Sequence, residues 1–126
     1  MIRHPSHREL QVWQRSMALS LAVYRLTESF PAAEQFALRS QIRRAAVSIP
    51  ANIAEGHGRR SDGAFARHLD IALGSLAELD TLMRLALALE YISEEDFHPL
   101  ADEMEQIRRM IFALYHKVRT AARTKS

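Results

Sequence analysis

The chain has 126 residues, of which 48% are hydrophobic and 25% are charged, and it contains no cysteine. This length and composition are typical of one globular domain, which we expect to span residues 1–126. The lack of cysteine excludes disulfides, thiolate metal sites and a cysteine nucleophile. The N-terminal segment lacks the apolar run of a signal peptide, and the longest apolar stretch, residues 85–89, is too short to cross a bilayer. The sequence therefore predicts a cytoplasmic protein that does not contact a membrane.

The formal net charge is only +2, but the basic residues are concentrated in the first half of the chain. Residues 31–60 carry five arginines and two acidic residues, whereas residues 61–91 carry two arginines and five acidic residues. Arginine forms paired hydrogen bonds with phosphate and carboxylate groups. This distribution therefore suits either an anionic polymer or an acidic partner surface. The alternative is a solvated face on which the arginines form salt bridges within the chain.

Apolar residues at spacings of three and four predict four helices. These helices span about residues 8–27, 34–55, 62–89 and 94–119. The first is expected to end at Phe30-Pro31, because proline disfavours a helical residue before it, and the second is expected to end at Gly56. Ser61 and Ser93 are placed to cap the third and fourth helices.

One apolar stripe on each helix predicts the side that faces the core. On the first helix the stripe is Leu10, Trp13, Met17, Leu21 and Tyr24, and on the second it is Leu38, Ile42, Ala45, Ile49 and Ile53. On the third helix it is Phe65, Leu69, Ala72, Leu76, Leu79, Met83 and Ala86, and on the fourth it is Phe97, Leu100, Met104, Ile107, Ile111, Leu114 and Val118. No run alternates as a strand would. We therefore predict an all-α fold, an antiparallel up-down-up-down four-helix bundle.

The second helix carries polar residues beside its apolar stripe and a proline in its interior. Pro50 has no N–H, so the carbonyl of Ala46 lacks its helical donor and needs a side chain or water instead. Polar residues of the second and third helices are predicted to form a buried structural network, in which Arg44 neutralises a glutamate and Gly74 lets the helices approach. The network residues are Arg44, Ser48, Asn52, Glu55, Ser75 and Glu78. The alternative interpretation is a catalytic cluster or a ligand site.

A long motif runs from the second helix into the third: Gln41-Ile42-x-Arg44-Ala45-x-x-Ser48-Ile49-Pro50-x-Asn52-Ile53-Ala54-Glu55-Gly56, then Arg59-Arg60-Ser61, Phe65, Leu69, Ala72-x-Gly74-Ser75 and Glu78. The opening Leu10-x-Val12-Trp13-Gln14-x-Ser16-Met17 accompanies it. Together these residues resemble the four-helix-bundle family that includes the 23S rRNA intervening-sequence proteins, over about residues 8–119. Pro99 departs from the usual unbroken acidic fourth helix of that family, and predicts a kink or a delayed start there.

The resemblance implies a four-helix protomer that assembles into a ring, typically a homopentamer. The family is similar to the accessory proteins of diversity-generating retroelements, which bind nucleic acid and associate with a reverse transcriptase. The resemblance therefore implies RNA or DNA as a ligand and a further protein as a partner. No enzymatic activity attaches to the family.

Arginines of the first and second helices and of the following loop are the candidate nucleic-acid-binding residues. They are Arg8, Arg15, Arg39, Arg43, Arg59 and Arg60. A ring of subunits would repeat these charges as a basic belt. The alternative is that they pair with Asp62, Asp70, Asp80 or a neighbouring subunit. Because most aromatic residues occupy core positions, phosphate contacts without sequence readout are expected rather than base stacking.

The histidines and serines give no basis for a metal, a cofactor or catalysis. Glu95 and His98 have the spacing of a di-iron carboxylate bundle, but that site needs a second such motif and further inward glutamates. Ser48 has no histidine on a compatible face, so it is not expected to be a nucleophile. The sequence therefore predicts a non-catalytic oligomer that binds RNA or DNA through arginines. The alternative is an oligomeric scaffold or adaptor without nucleic-acid binding.

Overall fold

Four helices make up most of the computed structural model, which describes residues 5–124. They are α1 (Gln11–Thr27), α2 (Leu38–Gly58), α3 (Asp62–Ala88) and α4 (Glu94–Thr124). A short 3₁₀ turn, His7–Glu9, precedes α1, and a second, Ala32–Glu34, lies between α1 and α2. Residues 5–124 contain no strand. The chain is therefore all-α, as the apolar periodicity predicts.

Contacts between neighbouring helices show that each runs antiparallel to the next. Thr27 near the end of α1 meets Arg43 near the start of α2, and Ser48 in the middle of α2 meets Ser75 of α3. Arg84 near the end of α3 lies 5.3 Å from the ring centroid of Phe97 near the start of α4, and Arg15 of α1 meets Glu103 in the first half of α4. The helices thus form the expected up-down-up-down bundle. None of the helices within residues 5–124 combines the length and apolar character that a membrane span requires.

The core stripes of α2, α3 and α4 lie where their periodicity places them. Every stripe residue of α2 and α3 is buried, and on α4 only Leu114 is partly buried while packing against the core. The buried side chains of all four helices form one cluster. Ser61 Oγ accepts from the N–H of Ala64 at 3.1 Å, and Ser93 Oγ accepts from the N–H of Asp96 at 3.1 Å. Both predicted N-caps are therefore present.

The predicted core face of α1 is right only at its start, where Leu10 and Trp13 pack against the core, and wrong for the other three stripe residues. Met17 and Leu21 are 46% and 53% exposed, and Tyr24 is also exposed. The buried face instead consists of Val12, Ser16, Leu19, Ser20, Val23 and Thr27. The buried hydroxyl groups on this face donate to carbonyl groups one turn earlier, for example Ser16 Oγ to Val12 O at 2.7 Å. Because these hydroxyls reach carbonyl groups of α1 or, for Ser20, of α2, small polar residues can lie at the contact of α1 with α2.

The bounds of α2 differ from the prediction at both ends. The helix starts at Leu38 rather than near residue 34, because Ala37 offers no side-chain cap and a 3₁₀ turn takes up residues 32–34. At the other end it continues through Gly56 to Gly58. A Cβ built on Gly56 would lie 2.6 Å from His68 Cβ, so α2 and α3 approach closely there. This packing against α3 outweighs the poor helix propensity of glycine.

The two prolines inside helices are accommodated in different ways. Ser20 Oγ of α1 donates to the carbonyl of Ala46 at 2.9 Å, which supplies the donor that Pro50 removes. The expected side-chain replacement for that donor is therefore confirmed. Pro99 does not delay α4, which begins at Glu94, so Pro99 falls early in the helix. The expected delayed start is wrong, because Ser93 caps the helix before the proline is reached.

Candidate nucleic-acid interface

Three guanidinium groups line a cleft of 570 Å³ between the second half of α1 and the start of α2. We call this the α2 cleft. It is lined by Tyr24, Gln35, Phe36, Arg39, Ser40, Arg43, Arg44, Val47 and Ser48. No acidic side chain lines it among the described residues. The α2 cleft is therefore a basic and partly apolar surface.

Arg43 forms the fixed wall of the α2 cleft. Its Nε donates to Thr27 Oγ1 at 3.0 Å, and its Nη2 donates to the carbonyl of Tyr24 at 3.0 Å. Its guanidinium also pairs with Glu28 at 3.1 Å and lies 4.4 Å from the ring centroid of Tyr24. Arg43 thus supplies a donor to a carbonyl group in the last turn of α1, where helical donors run out. These contacts hold the side chain of Arg43 in place, and Glu28 neutralises part of its charge.

Arg39 and Arg44 carry charges that no carboxylate within residues 5–124 neutralises. Arg39 Nη1 reaches only the carbonyl of Glu28, at a long 3.5 Å. Arg44 is exposed and forms no hydrogen bond or ion pair with a described residue. The structure therefore places Arg44 in the cleft rather than in the polar network, where the sequence interpretation put it. Although Arg44 lies one turn before Ser48, its side chain is exposed and pairs with no described glutamate of α3.

The aromatic residue Phe36 stands at the edge of the same cleft. Its side chain is 90% exposed, whereas the expectation from the sequence was that aromatic residues serve the core. Val47, one turn after Arg43, is also exposed and lines the cleft. The late start of α2 leaves Phe36 outside the helix, which is why periodicity did not reveal its exposure.

Three other predicted arginines gather at the opposite end of α2. Arg59 Nη2 pairs with Glu55 Oε1 at 2.8 Å, and Arg60 follows it, exposed, in the loop to α3. Arg8 belongs to the 3₁₀ turn whose His7 ring lies 6.5 Å from the ring of His57 in α2. We call Arg8, Arg59 and Arg60 the basic end.

Arg15 lies on a different face, and its side chain forms its hydrogen bonds with α4. Its guanidinium makes two hydrogen bonds to Glu103, at 2.9 and 2.8 Å, and one to Gln106 at 2.6 Å. Hydrogen bonding to Glu103 raises the pKa of Arg15 above its ordinary value. This geometry satisfies the guanidinium of Arg15 through contacts with α4.

A half-buried polar cluster links α2 and α3. Ser48 Oγ lies 2.8 Å from Ser75 Oγ, and Asn52 Nδ2 donates to Ser48 Oγ at 3.0 Å. His68 Nδ1 lies 3.1 Å from Asn52 Oδ1, and because that oxygen can only accept, the imidazole must donate. His68 was missed from the sequence, although it lies on the same face of α3 as Ser75, seven residues away.

The charged residues predicted for this polar cluster lie outside it. Glu55 pairs with Arg59, and Glu78 and Arg44 are exposed and form no hydrogen bond with a described residue of the cluster. Gly74 likewise does not mediate close approach, since a Cβ built on it meets nothing within 4 Å. The cluster of Ser48, Asn52, His68 and Ser75 contains no carboxylate, which removes the need for a charge-neutralising arginine.

A second basic cleft, of 430 Å³, lies between the start of α3 and the end of α4. Arg67, Arg119 and Arg123 line it, and Arg119 Nη1 donates to the hydroxyl of Tyr115 at 3.0 Å. These arginines were not among the predicted binding residues, because residues 61–91 are acidic overall and residues 92–126 carry six basic and six acidic residues. Their spacing of four residues near the end of α4 was the available signal.

Within residues 5–124, no group of three or more histidine, aspartate or glutamate side chains is placed to hold a metal ion. Ser48 has Ser75 and Asn52 as its described partners, and His68 contacts Asn52 rather than a serine. The polar cluster thus has no serine–histidine contact of the kind that activates a nucleophile.

No curated protein matches the sequence. The fold is similar to a crystal structure, at 1.70 Å resolution, of a protein of unknown function from the S23 ribosomal protein family of Bacteroides thetaiotaomicron. The two share 24% identity with a TM-score of 0.77, over 83% of this chain and 95% of the other. At that identity the likeness shows a common fold. The chain belongs to the 23S rRNA-intervening sequence protein family, whose model matches residues 8–113.

Proposed function

We propose that this protein is a non-catalytic, oligomeric four-helix bundle of the cytoplasm that binds RNA or DNA through phosphate contacts. The observation that carries the proposal is the placement of arginines at both ends of α2. The α2 cleft lies at one end and the basic end at the other, separated by about 30 Å, the length of a helix such as Leu38–Gly58. An extended polyanion is the ligand that can contact both groups at once.

The arginines without described carboxylate partners give the proposal its electrostatic basis. Arg39, Arg44 and Arg60 form no ion pair with a described residue. When an unpaired guanidinium at the surface contacts a phosphate, counterions condensed on the nucleic acid are released. This release favours binding and makes the affinity depend on the salt concentration. Such contacts position a nucleic acid without reading its bases.

Assembly into a homo-oligomer, with a pentamer as the expected state, is part of the proposal. Two exposed apolar stripes support it. Met17, Leu21 and Tyr24 form the stripe on α1, and Ile71, Leu85 and Leu89 lie on one side of α3. Exposed apolar side chains grouped on a helix, as Met17, Leu21 and Tyr24 are on α1, favour contact with another protein. A ring would repeat the α2 arginines and strengthen their field.

The proposal is tested by measuring the binding of labelled RNA and DNA across a salt series. The double variant Arg44→Glu/Arg60→Glu is expected to weaken binding at least tenfold and to lower the slope of log K against log salt by about two, roughly one for each lost phosphate contact. The matched control is Arg84→Glu/Arg109→Glu, which makes the same charge change at exposed arginines of α3 and α4 that already pair with Asp80 and Glu105.

Two outcomes would overturn nucleic-acid binding. The first is no binding of either polymer at low salt, and the second is an equal loss in the test and control variants, which would show only a response to net charge. Light scattering on each variant gives the assembly state. Loss of assembly in the test variant would favour the scaffold function, in which these arginines contact subunits.

A further inference from the structure

The α2 cleft combines features that phosphate contacts alone do not require. Phosphate binding needs the cationic groups of Arg39 and Arg44, but it does not need the exposed ring of Phe36 or the exposed side chain of Val47. A 90% exposed phenylalanine leaves most of its apolar area in water, at a cost that covering the ring would recover. We therefore expect a ligand of the cleft to cover this ring with a flat or apolar group.

The positions of the arginines restrict which ligands can bind in the cleft. Arg43 lies against the ring of Tyr24, so one aromatic face of the cleft is already covered from within the chain. Phe36 has no such partner among the described residues, and Arg39 and Arg44 stand beside it in the same cleft. An occupant must then offer a π-face to Phe36 and negative charge to the two arginines.

A nucleotide with an unpaired base meets both conditions. Its base presents a π-face that is hidden inside a duplex, and its phosphates carry the charge. The cleft volume of 570 Å³ falls within the roughly 300–1,000 Å³ of ligand pockets, which admits a base with its phosphate. The side chains of Gln35 and Ser40 line the cleft and can hydrogen-bond to a base edge.

An acidic peptide with an apolar anchor is the competing occupant. The α2 cleft alone would hold such a peptide, so the arginines at the other end of α2 would have no part in binding it. A nucleic-acid strand that leaves the cleft along α2 reaches Arg59 and Arg60 after about 30 Å, and so uses both basic groups. The arrangement along α2 therefore favours the strand.

From these contacts we infer that the α2 cleft binds an unpaired nucleotide of single-stranded RNA or DNA. The base stacks on Phe36, and the adjacent phosphates pair with Arg39 and Arg44. This inference rests on the proposed function and adds to it a preference for single strands over duplexes.

The test compares a short fluorescein-labelled oligothymidine with a hairpin duplex that has the same number of phosphates. Phe36→Ala is expected to weaken oligothymidine binding roughly tenfold, since stacking of one base on an aromatic ring is worth that order of affinity, and to leave duplex binding and the salt slope unchanged. Phe112→Ala is the matched control, because Phe112 is a 48% exposed phenylalanine on α4, outside the cleft. Phe36→Trp is expected to restore binding and to show quenched tryptophan fluorescence when oligothymidine is added.

Several results would overturn the inference while the proposed function stands. These are salt-dependent binding that is equal for strand and duplex, an unchanged affinity in Phe36→Ala, or a smaller assembly of Phe36→Ala by light scattering, which would place Phe36 in a subunit contact. Binding of a synthetic peptide of glutamates around one phenylalanine, dependent on Phe36 and not shared by oligothymidine, would identify a protein as the occupant. Absence of all nucleic-acid binding at low salt would overturn both.

Discussion

At the scale of single residues, the contact between Ser20 and the carbonyl of Ala46 links two helices through one hydroxyl group. Pro50 removes the helical donor to that carbonyl, and Ser20 Oγ replaces it at 2.9 Å. Ser20 is buried, so its loss would leave the carbonyl without a donor in a place that water does not reach easily. The serine and the proline are therefore coupled although they belong to different helices.

This coupling can be measured by urea unfolding at fixed protein concentration. Ser20→Ala is expected to lower the free energy of unfolding by about 1–3 kcal/mol, the cost of leaving a buried acceptor unsatisfied. In a Pro50→Ala background the backbone N–H returns to the helix, so the same substitution is expected to cost less. Thr81→Ala, which removes an exposed hydroxyl bonded within its own helix, is the control and should change little. An equal cost of Ser20→Ala in both backgrounds would contradict the coupling.

Glu105 is the carboxylate whose ionisation is most strongly shifted among the residues that the structure describes. Hydrogen bonds from Arg108, opposed by partial burial and reinforced by Arg109, lower the pKa of Glu105 to about 2. The pair's contribution to stability is present above the ordinary pKa of an unfolded glutamate and is lost as the pH falls toward 2. Since these side chains are exposed, salt should weaken the pairing.

We expect a carboxyl-carbon NMR titration to show this low pKa directly. Arg108→Ala is expected to raise the pKa of Glu105 toward its ordinary value, and Arg109→Ala is expected to raise it less, in keeping with the order of the two contributions. An unshifted Glu105 in the native protein would contradict the ion-pair geometry.

At the scale of helices, the approach of α2 to α3 depends on Gly56. A Cβ at this position would lie 2.6 Å from His68 Cβ and 3.0 Å from Phe65 Cδ1, and the first of these atoms is held close to the backbone of α3. Neither neighbour can move without shifting its helix, because Phe65 is in the core.

Gly56→Ala is therefore expected to destabilise the protein by about 1–3 kcal/mol, the usual cost of an overpacked contact, although alanine is the better helix former. The matched control is Gly74→Ala, because nothing lies within 4 Å of a Cβ there and the residue is exposed inside α3. That control is expected to stabilise the protein by about 0.8–1 kcal/mol through helix propensity. Thermal unfolding of both variants distinguishes the two effects, and stabilisation by Gly56→Ala would refute the close approach.

The helices also show what the sequence could and could not predict. The stripes of α2, α3 and α4 consist of large apolar residues on one face, so their periodicity identified the core correctly. On α1 two faces compete, and the one with Met17 and Leu21 is the more apolar, yet the face with Ser16 and Ser20 is buried. A hydroxyl group that donates to a nearby backbone carbonyl can be buried at little cost in free energy. A hydrophobicity scale does not include this effect.

The candidate site was predictable in composition but not in arrangement. The sequence shows that arginines crowd the second helix and its end; Arg39 and Arg43 do lie on α2, and Arg59 and Arg60 follow its last residue. The roles of Arg15 and Arg44 depend on which side chains the neighbouring helices bring near, and Glu103 is 88 residues away from Arg15. Local pattern carries no information on pairings at that separation.

At the scale of the whole molecule, the exposed apolar stripe on α1 is the surface that we expect to contact another subunit. Leu21→Glu places a charge in the middle of this stripe and is expected to lower the molar mass measured by light scattering to that of a smaller oligomer or a monomer. Phe112→Glu, at an exposed apolar residue of α4, is the control and should keep the native mass. A monomeric native protein would contradict the proposed oligomer outright.

The pairing of Arg15 with Glu103 also has a consequence for the order of folding. The α2 and α3 helices meet through residues only 16 to 27 positions apart, as in His68–Asn52 and Ser48–Ser75, whereas Arg15 and Glu103 close a loop of 88 residues. Closing a longer loop costs more chain entropy, so we expect α2 and α3 to pair before α1 docks on α4. A contact that forms after the transition state slows unfolding without hastening folding. We therefore expect the Arg15–Glu103 pair to lengthen the lifetime of the folded bundle rather than to speed its formation.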